Sequence, residues 1–146
     1  MTLDALYSPA VLRLAADAHG AGPLRADDVA ITCVNPTCGD RIDVALALSA
    51  GTISRFVYHT EACLICQASA SALGASIVGK TSQQIEGLRA GLRAMLKSGG
   101  APPPAPFTAF AALAPVAYEK SRHACVLLPL DAAAEALERA AGTSVS

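Results

Sequence analysis

The sequence predicts an α+β fold in which a three-stranded antiparallel sheet packs against several helices. Apolar residues recur first at helical spacing, then alternate along short runs, then return to helical spacing for the remainder of the chain. A two-residue break, Ala50-Gly51, separates two of the alternating runs and suits a tight hairpin. With 53% hydrophobic residues in 146, the chain is long enough for one core and short for two, so residues 1–146 are read as one domain.

The first element is a helix over 3–19, where Leu6, Ala10, Leu14 and Ala18 fall on one face and Gly20, Gly22 and Pro23 stop it. Three strands follow, at 28–34, 41–49 and 52–59. The second is the clearest, with Ile42, Val44, Leu46 and Leu48 alternating. After Cys63 the composition turns to small, helix-compatible residues up to Gly79, which marks a tightly packed helix. Thr81 or Ser82 caps a further helix through Ile85, Leu88, Leu92, Met95 and Leu96, which ends at Ser98-Gly99-Gly100. The tract 101–106, Ala-Pro-Pro-Pro-Ala-Pro, is a stiff extended stretch, part of a Pro-rich insertion around 99–106. A last apolar helix spans 125–140, broken or bent near Pro129.

Composition narrows the function. The net charge is −1 with cations scattered along the chain, which leaves no footprint for nucleic acid or an anionic membrane. The richest apolar run, 107–117, falls short of the roughly 18 residues of a membrane span and contains Pro115. Asp4, Arg13 and Asp17 interrupt any secretory apolar segment. Five cysteines, an odd number, then argue for reduced thiols in the cytoplasm, where metal binding or catalysis outranks disulfide formation.

Cys38 lies in Asn35-Pro36-Thr37-Cys38-Gly39-Asp40, a turn between strands that leaves side chains exposed, and Asp40 offers a hard oxygen donor beside the thiolate. On spacing alone Asp40 reads equally as an ordinary turn residue. Cys63 opens a helix, where free N–H groups and the helix dipole lower a thiol pKa. Cys125 sits near another helix start, beside Arg122, whose charge favours the thiolate. The intervals between these cysteines match no local zinc-finger pattern. Cys33, inside a strand, reads as core, as does Cys66, with a supporting or resolving thiol as the alternative for the latter. His123 is expected to face solvent at the helix start.

The sequence resembles the IscU/SufU (NifU N-terminal-like) family of iron–sulfur cluster assembly scaffolds through Asn35 to Asp40, through Cys63-Leu64-Ile65-Cys66-Gln67-Ala68-Ser69-Ala70-Ser71, and through Arg122-His123-Ala124-Cys125. The long, Pro-rich interval before Cys125 looks like the SufU branch. Ala62 stands where the family usually has glycine, and Cys66 where serine is common. The resemblance implies an IscU-like fold and a zinc or iron site formed by Cys38, Asp40, Cys63 and Cys125. It implies that Cys38, Cys63 and Cys125 carry a transient iron–sulfur cluster. It makes Cys38 the sulfur acceptor, with Arg122 auxiliary, in a zinc-dependent sulfurtransferase served by a pyridoxal-phosphate cysteine desulfurase of the SufS type. Downstream apoproteins or other Suf components would receive the product. The alternative is a structural zinc module in which no sulfur moves.

Overall fold

The computed structural model describes residues 6–25 and 28–144. Residues 3–5 of the expected first helix lie outside them. Helix α1 runs from Pro9 to Asp17: Ser8 caps it through its hydroxyl, which accepts from the Val11 N–H at 3.2 Å, and Pro9 occupies the first turn, where no N–H is needed. Its buried face carries Val11, with Leu14 and Ala15 leaning on the core, whereas Ala10 is exposed.

Strands β1 (Val29–Val34), β2 (Arg41–Ser49) and β3 (Thr52–Glu61) form an antiparallel sheet in that order. Ala50 and Gly51 both take positive φ, 53° and 83°, the backbone a two-residue hairpin turn requires, and Ser49 pairs with Thr52 across it. Ile31, Ile42, Val44, Leu46, Ile53, Phe56 and Tyr58 are buried. The alternation of β2 ends at a register shift between Ala47 and Leu48, which leaves Leu48 half-buried.

Helix α2 (Leu64–Gly74) carries small residues all round and is buried along most of its length. It ends five residues before Gly79. At that end the chain meets a distant segment: a Cβ on Gly74 would stand 1.8 Å from the His19 carbonyl oxygen, and Ser71 Oγ accepts the His19 N–H at 3.0 Å. The chain leaving α1 therefore crosses over the end of α2 at van der Waals distance. The following loop returns to β3, with Ile53 N–H on Lys80 O at 2.9 Å and Gly79 N–H on Ile53 O at 2.7 Å.

Helix α3 (Ser82–Ser98) begins with a capping box, Thr81 Oγ1 accepting from Gln84 N–H and Gln84 Oε1 accepting from Thr81 N–H, and closes on Gly99 at φ 70°. Its buried stripe is Ile85, Leu88, Leu92, Met95 and Leu96. The stretch 107–118, unassigned by helical or strand periodicity, forms a 3₁₀ helix over Thr108–Tyr118. Phe107, Phe110, Leu113 and Val116 are buried at intervals of three, which is the period of that helix. A short 3₁₀ turn, Lys120–Arg122, then leads into α4 (His123–Ser144).

Helix α4 is longer than expected and continues through Pro129. Proline removes one N–H from the ladder there. Ser69 of α2 donates its hydroxyl to the nearby Val126 carbonyl at 2.6 Å, so this carbonyl gains a partner from the neighbouring helix. Helix α4 packs on β1, β2, α2 and α3, and α2 and α4 thus share the buried side of the sheet. Among the described residues no helix is long and apolar enough to cross a membrane.

Candidate metal centre

Sheet register sets the site. Arg41 pairs with Glu61 at one end of the β2–β3 ladder, which brings the residue before β2, Asp40, beside the chain that leaves β3 for α2. Cys63 is the N-cap of α2. Its backbone N–H donates to Asp40 Oδ1 at 3.0 Å and its thiol to Asp40 Oδ2 at 3.2 Å. One carboxylate thereby fixes both the start of the helix and the direction of the sulfur.

The β1–β2 turn brings in the second thiol. Asn35 N–H bonds Asp40 O at 2.8 Å and Gly39 N–H bonds Asn35 O at 2.8 Å, while Asn35 Oδ1 accepts from Thr37 N–H at 3.0 Å. Gly39 adopts φ 77°, open to glycine at no steric cost. This closed turn holds Cys38 exposed at its tip. The third thiol, Cys125, comes from the first turn of α4 and is fully buried, with its sulfur 4.0 Å from that of Cys38. Cys38, Asp40 and Cys125 each offer one ligand atom, and all three atoms lie within 4.8 Å of one another. Cys63 joins them through Asp40.

The thiols do not share protons evenly. Cys63 is lowered to about 7, first because the Cys125 thiol donates to it, then, against desolvation, because the Cys66 N–H also does. Asp40 opposes that shift by charge and hydrogen bonding. Cys125 moves the opposite way, raised because it is the donor to Cys63, because it is buried, and because Asp40 is near. Arg122 does favour the Cys125 thiolate, by hydrogen bond and charge, but donation to Cys63, burial and the nearby Asp40 outweigh it. Burial works against ionisation of Asp40, yet hydrogen bonds from the Cys63 N–H and from the Cys63, Cys125 and Cys38 thiols hold its carboxyl below the usual range.

Arg122 is half-buried and held protonated, chiefly by the charge interaction with Tyr7, against partial desolvation, and then by a hydrogen bond to Cys125 and the charge of Cys63. Tyr7 carried no signal in the sequence, because only the fold brings it to Arg122. Cys66 is fully buried and its thiol is pushed up, first by that burial and then by the charges of Asp40, Cys63 and Cys38, as suits a core residue one turn below the site. Cys33 stands at the margin of the core, half-buried, with its thiol 3.5 Å from Glu135 Oε2 on α4. Burial and that carboxylate push it up to about 11. His123 does not face solvent: it is 8% exposed, and its Nε2 donates to the Ala117 carbonyl at 3.1 Å. The helix start is roofed by the preceding 3₁₀ segment, which sequence periodicity had left unassigned.

Three thiols and a carboxylate are a soft and hard donor set suited to zinc, which takes sulfur and oxygen ligands in tetrahedral sites. Two sulfurs on one such ion stand about 3.8 Å apart, given bonds of about 2.3 Å, close to the 4.0 Å between Cys38 and Cys125. Cys38, Asp40 and Cys125 fit the ion as they stand, and Cys63 adjoins them through Asp40.

Comparison with known proteins agrees with the architecture. The model of the NifU-like N-terminal domain family matches residues 6–100. The zinc-dependent sulfurtransferase SufU of Bacillus subtilis (strain 168) is 33% identical over 78 residues, 53% of this chain and 52% of SufU, so the chain spans about half the length of that relative. Among solved structures, the N-terminal NifU-like protein of Brucella abortus superposes with a TM-score of 0.91 at 28% identity, over 96% of this chain and 97% of that one. A putative iron–sulfur cluster assembly scaffold for the SUF system, from Fervidobacterium islandicum AW-1, gives 0.78 at 21% identity over 93% and 99%, a likeness of fold alone. The three-stranded sheet, its covering helices and the family match together place the chain in the NifU-like N-terminal domain family.

Proposed function

We propose that this chain is a metal-binding sulfur acceptor and scaffold that takes persulfide sulfur from a pyridoxal-phosphate cysteine desulfurase of the SufS type, in the cytoplasm. The observation that carries the reading is the placement of Cys38: exposed at a turn tip, yet with its sulfur 4.0 Å from a buried thiol and grouped with a carboxylate. A thiol so placed can be held by a metal and still be reached by another protein. The reading treats residues 1–146 as one domain with the Pro-rich stretch at 99–106 as an insertion.

Cys38, Asp40, Cys63 and Cys125 would hold the zinc or iron. Bound metal supplies positive charge that keeps thiolates deprotonated at neutral pH. In the transfer, the Cys38 thiolate attacks the outer sulfur of the desulfurase persulfide; a sulfur–sulfur bond forms on Cys38 as the one on the desulfurase breaks, and the electron pair leaves on the desulfurase cysteine thiolate. No net oxidation occurs. Arg122, which bonds Cys125 and lies near Cys63, would offset part of the remaining negative charge. An iron–sulfur cluster built on Cys38, Cys63 and Cys125 would be cargo, passed to downstream apoproteins or other Suf components.

The test is sulfide release by a cysteine desulfurase with and without this protein, using metal-quantified wild type and Cys38→Ala. Strong stimulation that disappears in the variant supports the acceptor role. One bound metal per chain without stimulation would instead assign a structural zinc module.

A further inference from the structure

A second concave surface lies between α3 and the first turn of α4, outside the cysteine cluster. It encloses about 710 Å³ and is lined by Arg93, Lys97, Lys120 and Asp131 over an apolar floor of Leu96 and Leu127. Its charges are unevenly used. Asp131 is taken by Arg89, with Nε 2.8 Å from Oδ1. Among the described residues, Arg93, Lys97 and Lys120 have no carboxylate partner, and all three are exposed. A chain of net charge −1 thus concentrates three uncompensated cations in one cleft.

The geometry selects among anions. Arg93 and Lys97 stand one turn apart on α3, while Lys120 faces them from the 3₁₀ turn, so the cations line two walls and are not gathered at one point. The backbone N–H groups that a bound phosphate would use are occupied: Arg122 N–H bonds Glu119 O at 3.0 Å and His123 N–H bonds Lys120 O. Buried leucines form the floor. Spaced cations over an apolar floor suit an extended chain with several carboxylates and aliphatic side chains better than one compact oxyanion.

We infer that this cleft docks an acidic, leucine-bearing segment of a protein partner. Ala124 also lines it and directly precedes Cys125. A segment seated there rests against the 3₁₀ turn that supplies Arg122 and the first turn of α4 that supplies Cys125, so the partner is anchored beside the cluster.

The test uses a fluorescein-labelled peptide of alternating glutamate and leucine, its glutamine-for-glutamate twin, and fluorescence anisotropy on the full chain. Three proteins are compared: wild type, Arg93→Gln/Lys97→Gln/Lys120→Gln, and a charge-matched control, Arg13→Gln/Arg41→Gln/Lys80→Gln, each shown folded by circular dichroism. The acidic peptide is expected to bind wild type saturably and the control within about twofold of it, and the cleft variant roughly tenfold more weakly, three exposed ion pairs being lost. Binding should weaken between about 20 and 200 mM salt as screening shortens, and the glutamine twin should not bind. No saturable binding, or equal weakening in both variants, overturns the proposal. So does displacement by inorganic phosphate at matched charge concentration, which would make the cleft a small-anion site.

Discussion

Asp40 accepts two hydrogen bonds from Cys63, one from its backbone N–H at 3.0 Å and one from its thiol at 3.2 Å. The same residue therefore anchors the N-cap residue of α2, places a charge beside three thiols and is a candidate ligand. These roles pull Cys63 in two directions. The bond to the Cys63 N–H holds the N-terminus of α2, where a helix dipole favours a thiolate, while the carboxylate charge disfavours it.

The first prediction separates those roles. Asp40→Asn keeps an oxygen for the Cys63 N–H but removes the charge that raises the Cys63 pKa, so in metal-free protein the Cys63 midpoint should fall below about 7. Iodoacetamide labelling against pH, read at the Cys63 peptide by mass spectrometry, checks it. An unchanged or higher midpoint would mean that the carboxylate acts mainly through hydrogen-bond geometry.

A second prediction concerns stability against pH in the metal-free protein. Cys63 is depressed from 9.0 to about 7, so the folded state loses that proton first. Its contribution is fully present above about pH 9 and is lost as pH falls through about 7, and stability should rise over that window by about 1–2 kcal/mol after allowance for partial exposure. Cys33, Cys66 and Cys125 are raised and keep their protons where the unfolded chain gives them up, so stability should fall above about 9. Thermal melts from pH 6 to 10 should thus pass through a maximum, and Cys63→Ser should abolish the rising limb while keeping the fall.

Residue patterns made some of this legible and hid the rest for physical reasons. The stripe of α3 and the alternation of β2 were plain because each element buries one face at its own period. The 3₁₀ helix at Thr108–Tyr118 is hidden because Phe107, Phe110, Leu113 and Val116 stand at intervals of three, which give neither the alternation of a strand nor the stripe of an α-helix. The close approach of the His19 backbone to Gly74, at the end of α2, is a contact between distant segments that no local pattern encodes. At the site, the turn chemistry of Asn35 to Gly39 announced an exposed Cys38. The opposite shifts of Cys63 and Cys125 needed their relative positions, and the burial of His123 needed the unassigned 3₁₀ roof.

Two glycines give opposite predictions for stability. Gly74→Ala puts a methyl 1.8 Å from the His19 carbonyl, where only backbone movement can relieve it, and should cost about 3 kcal/mol or prevent folding. Gly87→Ala lies inside α3 with nothing within 4 Å of the new methyl and should stabilise by about 0.5–1 kcal/mol. Urea midpoints of the two variants test the crossing of α1 and α2 independently of any metal.

The last prediction distinguishes the cysteines by what surrounds them. Cys38→Ser and Cys125→Ser remove sulfurs that lie 4.0 Å apart, and Cys63→Ser removes the thiol bonded to Asp40, so each should lose most bound zinc, measured by elemental analysis after gel filtration. Cys33→Ser should retain it, since Cys33 faces Glu135 across the β1–α4 seam, away from the trio formed by Cys38, Asp40 and Cys125. Cys66→Ser is the discriminating case. Its thiol is fully buried one turn below Cys63, so a hydroxyl there loses apolar packing and should lower stability by about 1–2 kcal/mol. Zinc retained at full stoichiometry in that destabilised variant would assign Cys66 to the core, and zinc lost from a stably folded one would make it a ligand in place of Cys63.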